Sequence, residues 1–117
     1  MSVTKVQLSG STNGRQISVD QTASPGTLIH TATNTANTLD EVWLWACNTS
    51  EATVKLTIEL GGTTDPDDLI EVGIPGESGL VLVVPGLPLD GGVVVRAFAG
   101  TTDVVNVSGY VNRIDQS

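Results

Sequence analysis

The sequence predicts an all-β fold: an antiparallel β-sandwich, or a jelly-roll-like small barrel, of about eight or nine strands. Three observations lead to this prediction. Strand-length apolar runs recur roughly every 12 to 15 residues. Thirteen glycines and five prolines in 117 residues supply turn signals between these runs. No stretch of helical length shows the 3.6-residue period of an amphipathic helix.

The first 26 residues carry few large apolar groups. Residues 3–8 and 17–19 form short strand-like runs, and between them "SGSTNGRQ" is polar and interrupted by glycine, as loops are. Two interpretations are open: a polar N-terminal arm that lies on a neighbouring subunit, or an edge hairpin of the same domain. We therefore divide the chain into residues 1–26, the arm or edge hairpin, and residues 27–117, the β-sandwich domain.

Three strands are expected next, at residues 27–32, 41–48 and 53–60. The run 53–60, "TVKLTIEL", alternates strictly, which predicts one face in the core and one face in water. The link "NTSEA" between the second and third strands has the length of a hairpin loop. We therefore expect 41–48 and 53–60 to pair as antiparallel neighbours. The predicted wet face of the third strand consists of Thr53, Lys55, Thr57 and Glu59.

The remaining sequence predicts four further strands, at residues 69–74, 79–84, 93–99 and 104–114. Pro75-Gly76 and Pro85-Gly86 are expected to end the strands before them, because proline donates no ladder hydrogen bond and glycine favours turns. The segment "LPLDGG" that follows Gly86 is expected to be a loop.

The composition disfavours several classes of partner. Thirteen acidic residues against five Lys and Arg give a formal net charge of −8, so we expect no binding to nucleic acid or to an anionic membrane. No apolar run approaches the ~18 residues of a membrane helix. The first thirty residues lack the basic and apolar regions of a secretory signal, so we expect synthesis in a cytoplasm. The acidic surface is best explained by solubility.

Candidates for catalysis or metal binding are few. His30 is the only histidine and shares a predicted strand face with Leu28, while Cys47, the only cysteine, lies in an apolar run that predicts burial. A nucleophile needs an adjacent base, and no such motif is present, so we expect no enzyme activity and no cofactor. Oxygen ligands for calcium are clustered in one turn, but without EF-hand spacing, and a solvated turn is favoured over a calcium site. These ligands are Asp65, Asp67, Asp68 and the nearby Glu71.

The aromatic residues are the most informative feature of the sequence. There are only four, and two of them, Trp43 and Trp45, share one face of the strand at 41–48. Three interpretations are open: the domain core, a subunit contact, or a stacking platform for a sugar. The runs 42–47 and 93–99 are apolar on both faces, which is more apolar surface than a thin sandwich needs. We therefore expect contacts with another molecule at Trp43, Trp45, Val94, Phe98 and Tyr110.

Several stretches resemble the small, threonine- and glycine-rich β proteins of tailed-bacteriophage virions, especially head decoration (cement) proteins. These stretches are "LIHTATNTANTLDEVWLWACNTSEATVKLTIELGG", "VVPGLPLDGGVVVRAFA" and the closing "VNVSGYVNRI". The resemblance covers residues 27–114 in its β-rich pattern, and none of its stretches is a catalytic signature.

The resemblance implies a non-enzymatic structural protein on the capsid surface of the virion, which binds and stabilises the major capsid protein. It implies a homo-oligomer, with a trimer favoured, whose surplus apolar strand faces form the contacts. The chain lacks the long apolar arm that some decoration proteins use for attachment. The alternative is a carbohydrate- or receptor-binding sandwich of a tail or fibre, which uses Trp43 and Trp45.

Overall fold

Nine β-strands and no helix make up the computed structural model, which describes residues 1–117. No helix is therefore long and apolar enough to cross a membrane. The molecule measures 47 × 27 × 21 Å along its principal axes. The strands are β1 (Ser2–Gln7), β2 (Ile17–Ser18), β3 (Thr27–Thr31), β4 (Thr38–Asn48), β5 (Val54–Leu60), β6 (Leu69–Ile74), β7 (Val81–Leu89), β8 (Val94–Ala99) and β9 (Val105–Asp115).

Two antiparallel sheets form the fold. Sheet A has the strand order β1-β9-β4-β7, with β2 also paired to β9, and sheet B has the order β3-β8-β5-β6. If β1 and β2 are taken as one interrupted edge strand, the pairs are nested: the first strand with β9, β3 with β8, β4 with β7, and β5 with β6. This nested pairing across two sheets is the jelly-roll topology. The predicted all-β sandwich of eight or nine strands is confirmed.

The core between the sheets is aliphatic. Sheet A contributes Val42, Leu44 and Ala46 from β4, and sheet B contributes Leu56 and Ile58 from β5, all with no exposed surface. Burial of a side chain such as Leu or Ile contributes roughly 1.5–3 kcal/mol to folding. The buried hydrophobic residues are all Leu, Ile, Val or Ala, so the core is closed without any of the four aromatic side chains. The interpretation of Trp43 and Trp45 as core residues is therefore wrong.

The predicted pairing of residues 41–48 with 53–60 is also wrong. β4 pairs with β7 and β9 in sheet A, whereas β5 pairs with β6 and β8 in sheet B. The link at residues 49–53 crosses from one sheet to the other instead of forming a hairpin. Asn48 holds this crossover, because its side-chain amide donates to the carbonyl oxygens of Ala52 (2.7 Å) and Ile74 (2.9 Å).

The strand predicted to stop before Pro85-Gly86 continues through both residues to Leu89. The register with β4 shifts at two places along β7, near Gly86 and near Val83. Proline is tolerated here because β7 is an edge strand, so a missing N–H costs no ladder bond on the outer side. Bulges and prolines also make this edge a poor template for another strand.

Residues 1–26 form the other edge of sheet A and part of the core. β1 and β2 both pair with β9, one after the other, instead of pairing with each other. Leu8, Ile17 and Val19 are buried in the core cluster. Between β1 and β2 the chain leaves sheet A to reach sheet B, where the Gly10 amide donates to the Ile29 carbonyl (2.9 Å). The segment between β1 and β2 therefore links the edges of the two sheets.

Candidate functional site

The candidate site is the outer face of sheet A, which carries three of the four aromatic side chains. β4 alternates as a strand should: Val42, Leu44 and Ala46 point into the core, and Trp43 and Trp45 point outward and are half-buried. Tyr110 lies directly opposite Trp43 on β9 and projects from the same face. The sequence placed the two tryptophans on one face correctly, but only the structure shows that this face is the outer one.

The three rings form a continuous ladder centred on Trp45. Its ring stacks with that of Trp43 (centroids 6.3 Å apart, planes at 20°) and with that of Tyr110 (6.0 Å, 27°). The Lys5 ammonium lies 4.5 Å from the centre of the Tyr110 ring, which is within cation–π range. The neighbouring rings and Lys5 thus pack against one another and restrict the aromatic side chains.

Trp43 is fixed on both its polar and its apolar side. Its indole Nε1 donates a 2.7 Å hydrogen bond to Glu41 Oε1, which also accepts from Asn112 Nδ2 at 3.0 Å. These two hydrogen bonds lower the pKa of Glu41 and keep its carboxylate ionised, and the bond from Trp43 has the larger effect. On the other side the indole packs over Gly86 of β7, where a Cβ would overlap the ring. The glycine is needed at this position because it lets the indole lie close against the edge strand.

The aromatic face extends to the edge of the sheet and is almost free of charge. Leu82, which is 46% exposed, pairs with Trp45, and Pro85 pairs with Trp43. The side chains that project outward from β1, β4, β7 and β9 include one cation, Lys5, and one anion, Glu41, in a protein of net charge −8. The sequence could have revealed this depletion of charge only if the strand order had been known.

This face is also flat. The structure has four surface cavities of about 200 to 380 Å³, and none of them is lined by Trp43, Trp45 or Tyr110. Small-molecule sites are usually concave. A flat, aromatic and nearly uncharged surface has instead the composition found at the centre of protein–protein interfaces.

Val94 and Phe98, the other two predicted contact residues, lie on the opposite side of the molecule. β8 alternates as predicted, with Val95, Ala97 and Ala99 buried, so Val94 and Phe98 project from the outer face of sheet B. The five predicted contact residues therefore belong to two surfaces on opposite sides of the sandwich. Phe98 lines a shallow cavity of about 200 Å³.

The outer face of sheet B is partly covered by the chain itself. Glu59 has no exposed surface: its Oε2 accepts from Ser24 Oγ (2.5 Å) and its Oε1 from the Gly26 amide (2.7 Å). The prediction that Thr57 and Glu59 face water is wrong, because both are buried. Arg96 Nη1 donates to the Gly26 carbonyl (3.2 Å). Glu59 and Arg96 thus form a clamp that holds Ser24 and Gly26 against sheet B. Sheet B therefore presents a charged and partly covered face, unlike sheet A.

His30 is buried in a polar network between the sheets. The prediction that it shares a face with Leu28 is wrong: a bulge between Leu28 and His30 turns both Ile29 and His30 inward. The Ser9 amide donates to His30 Nδ1 (3.0 Å), so Nδ1 carries no proton, and Nε2 donates to Asp40 Oδ2 at 2.8 Å. His30 is therefore neutral and only 1% exposed.

Asp40 is the centre of this network. Arg113 binds it through two hydrogen bonds, from Nε to Oδ1 (2.8 Å) and from Nη2 to Oδ2 (3.0 Å), and the Thr33 amide donates to Oδ2 (3.0 Å). Burial raises the pKa of Asp40, but the hydrogen bonds from Arg113, His30 and Thr33 outweigh it and hold the pKa below its usual value. No hydroxyl or thiol side chain hydrogen-bonds to His30, and the Ser9 hydroxyl instead accepts from the Thr31 amide (2.7 Å). The network holds the two sheets together and lacks the geometry of a catalytic triad.

The remaining candidates lie apart from one another. Cys47, expected to be buried, projects from the outer face of sheet A, where its Sγ donates to Gln16 Oε1 at 3.0 Å. In the acidic turn, Asp68 Oδ2 accepts from the Thr64 amide (3.0 Å), and Glu71 forms an ion pair with Lys55. No three His, Cys, Asp or Glu side chains lie close enough together to hold a metal ion.

Comparison of the chain with protein-family models, with curated proteins and with solved structures finds no match. The functional argument therefore rests on the geometry of the two sheet faces.

Proposed function

We propose that this protein is a non-enzymatic structural component of a virion, of the head decoration type, which binds the outside of a phage capsid and stabilises the shell. The observation that carries the proposal is the flat aromatic face of sheet A. It holds Trp43, Trp45 and Tyr110, which lie outside the core and are partly exposed. The jelly-roll topology supports the proposal by analogy, since this architecture recurs in viral capsid proteins.

The aromatic side chains contribute little to the core, so their position needs another explanation. The core is filled by aliphatic residues alone. Trp and Tyr are enriched among the residues that dominate binding energy, where they fill desolvated contacts at the centre of an interface. A protein that acts by burying a surface against a partner needs such a face and needs no active site.

The charge distribution fits the same function. Apart from Glu41, the exposed acidic residues lie outside the aromatic face, in the loops and on sheet B. An acidic exterior keeps the protein soluble and repels packaged DNA. The major capsid protein is the proposed partner, synthesis takes place in the host cytoplasm, and the mature protein lies on the capsid surface.

The experiment is binding to empty shells assembled from the major capsid protein encoded in the same genome. We expect saturable co-sedimentation of the wild-type protein, and a loss of binding of at least about thirtyfold for W45A. F98A, which truncates an aromatic residue on the opposite face, is the matched control and should bind as the wild type does. A genome without a major capsid protein gene, or shells that bind no protein at high micromolar concentration, would refute the proposal.

The alternative is a carbohydrate- or receptor-binding module of a tail or fibre. The observation in its favour is that Trp43 and Trp45 face outward, with the amides of Asn106 and Asn112 on the same face. The proposal of a protein contact is better supported, because the face is flat and Lys5 covers the Tyr110 ring. Titration of tryptophan fluorescence with a glycan panel tests the alternative, and a saturable change that W45A abolishes would favour it.

A further inference from the structure

We propose that the aromatic face of sheet A is a self-association surface, on which a second copy of this chain packs face to face about a two-fold axis. The inference rests on the proposed function and concerns the same face, which a second copy covers in solution and which is exposed again when the protein binds the shell. It rests on the charge, the area and the orientation of the two outer faces.

Charge decides where two copies can meet. Each copy has a net charge of −8, so most approaches between copies are repulsive. The outer face of sheet A avoids this repulsion, because Lys5 and Glu41 are its only charged side chains and they cancel. A two-fold partner presents the same two charges, so each copy offers an anion and a cation to the other. Interfaces avoid like-charge contacts, and two copies of this face meet that condition.

The area of the face is sufficient for a stable dimer. Strands of about 10 residues at 3.3 Å per residue, in four rows about 4.8 Å apart, cover roughly 600 Å² of sheet surface. Two such faces would bury about 1,200 Å² in total, which lies at the lower end of the range for specific interfaces. The aromatic ladder lies at the centre of this area, where contact residues contribute most to affinity.

The orientation of the faces favours a two-fold pair over a ring. The outer faces of sheets A and B look in opposite directions across the sandwich. A contact between sheet A of one copy and sheet B of the next would therefore stack copies into an open filament instead of closing into a trimer. A contact of sheet A with sheet A uses the same patch on both copies. Such a contact gives a closed dimer. The β7 edge cannot extend the sheet sideways, because Pro85, Pro88 and two bulges interrupt it.

The test is the mass of the full-length chain in solution, by light scattering after size exclusion at 5 to about 100 μM. We expect a concentration-dependent mass approaching twice 12.1 kDa for the wild type. W45A should raise the dissociation constant at least about thirtyfold, whereas F98A should leave it within about twofold. Far-UV circular dichroism confirms that each variant is folded.

A second variant keeps the test decisive if W45A does not fold. L82E places a carboxylate beside Trp45 at a position that is 46% exposed and lies outside the core, so the fold should tolerate it. It should dissociate the dimer as W45A does. The inference is overturned by a monomer at 100 μM, by a mass of three chains, or by a dimer that survives both W45A and L82E.

These outcomes separate the inference from the proposed function. A monomer that still binds shells would overturn the two-fold contact and leave the decoration function in place. A dimer that W45A dissociates, but that never binds shells, would support the contact and refute the decoration function.

Discussion

Asp40 on β4 and His30 on β3 are joined by a 2.8 Å hydrogen bond that runs from one sheet to the other, with both side chains almost completely buried. Arg113 completes the network from β9. The strands β3, β4 and β9 thus share one buried carboxylate. The stability of the sandwich should depend on Asp40 more than on any exposed acidic residue.

The first prediction concerns this carboxylate. D40N should lower the free energy of unfolding by about 3 kcal/mol, because removal of one partner leaves the other buried groups unpaired. This destabilisation lies at the lower end of the range for a broken buried ion pair, because the Arg113 side chain is 36% exposed. Urea unfolding followed by tryptophan fluorescence measures it. D67N, in the exposed acidic turn, is the control and should change stability by less than about 0.5 kcal/mol. Equal stability of the two variants would contradict the prediction.

The second prediction is a pH dependence with a defined sign. The pKa of Asp40 is lowered in the folded state, so its contribution is fully present above the ordinary carboxyl pKa of about 3.9. That contribution is lost as the pH falls through the lower folded-state pKa. The free energy of unfolding should therefore decrease below about pH 4 in the wild type and decrease less steeply in D40N. Urea titrations between pH 2 and 6 measure both slopes, and identical slopes would argue against this role for Asp40.

The third prediction concerns Gly109 in the middle of β9. It faces Leu44 in the register, has a φ of 151°, and lies so close to Trp43 that a Cβ would overlap the Trp43 carbonyl oxygen. G109A should destabilise the protein by about 3 kcal/mol or more, because β4 and β9 would have to separate. G100A is the matched control, since a Cβ there meets only ordinary contacts. Thermal unfolding compares the two, and a small effect of G109A would show that the strands can adjust.

The fourth prediction concerns the clamp on sheet B. E59Q should loosen residues 20–26, because Glu59 accepts hydrogen bonds from Ser24 and Gly26 and the amide replaces one acceptor oxygen with a donor. We expect the free energy of unfolding to fall by about 1–2 kcal/mol. Proteinase K should also cleave faster between residues 20 and 26, which mass spectrometry of the fragments measures. E71Q removes an exposed ion pair with Lys55 and should leave the cleavage rate unchanged. Cleavage of E59Q at the wild-type rate would contradict the prediction.

The strands were predictable because their signal is local. The alternation of apolar and polar residues along a strand is set by the pleat and needs no knowledge of neighbours. Turn signals on both sides located the strand Leu69–Ile74 to the residue, and the alternation assigned Trp43 and Trp45 to one face and Val42, Leu44 and Ala46 to the other. The alternation of β8 was predicted for the same reason.

Strand pairing and the role of each face were decided only in three dimensions. A five-residue link can turn back as a hairpin or cross to another sheet, and the choice at residues 49–53 depends on contacts such as Asn48 with Ile74. The burial of Glu59 depends on a loop more than thirty residues earlier, and that of His30 on a bulge and on Asp40 and Ser9. The sequence by itself determined which residues share a face. Only the tertiary structure decided that the tryptophan face is the outer face of its sheet, because burial depends on long-range packing that a periodic pattern does not encode.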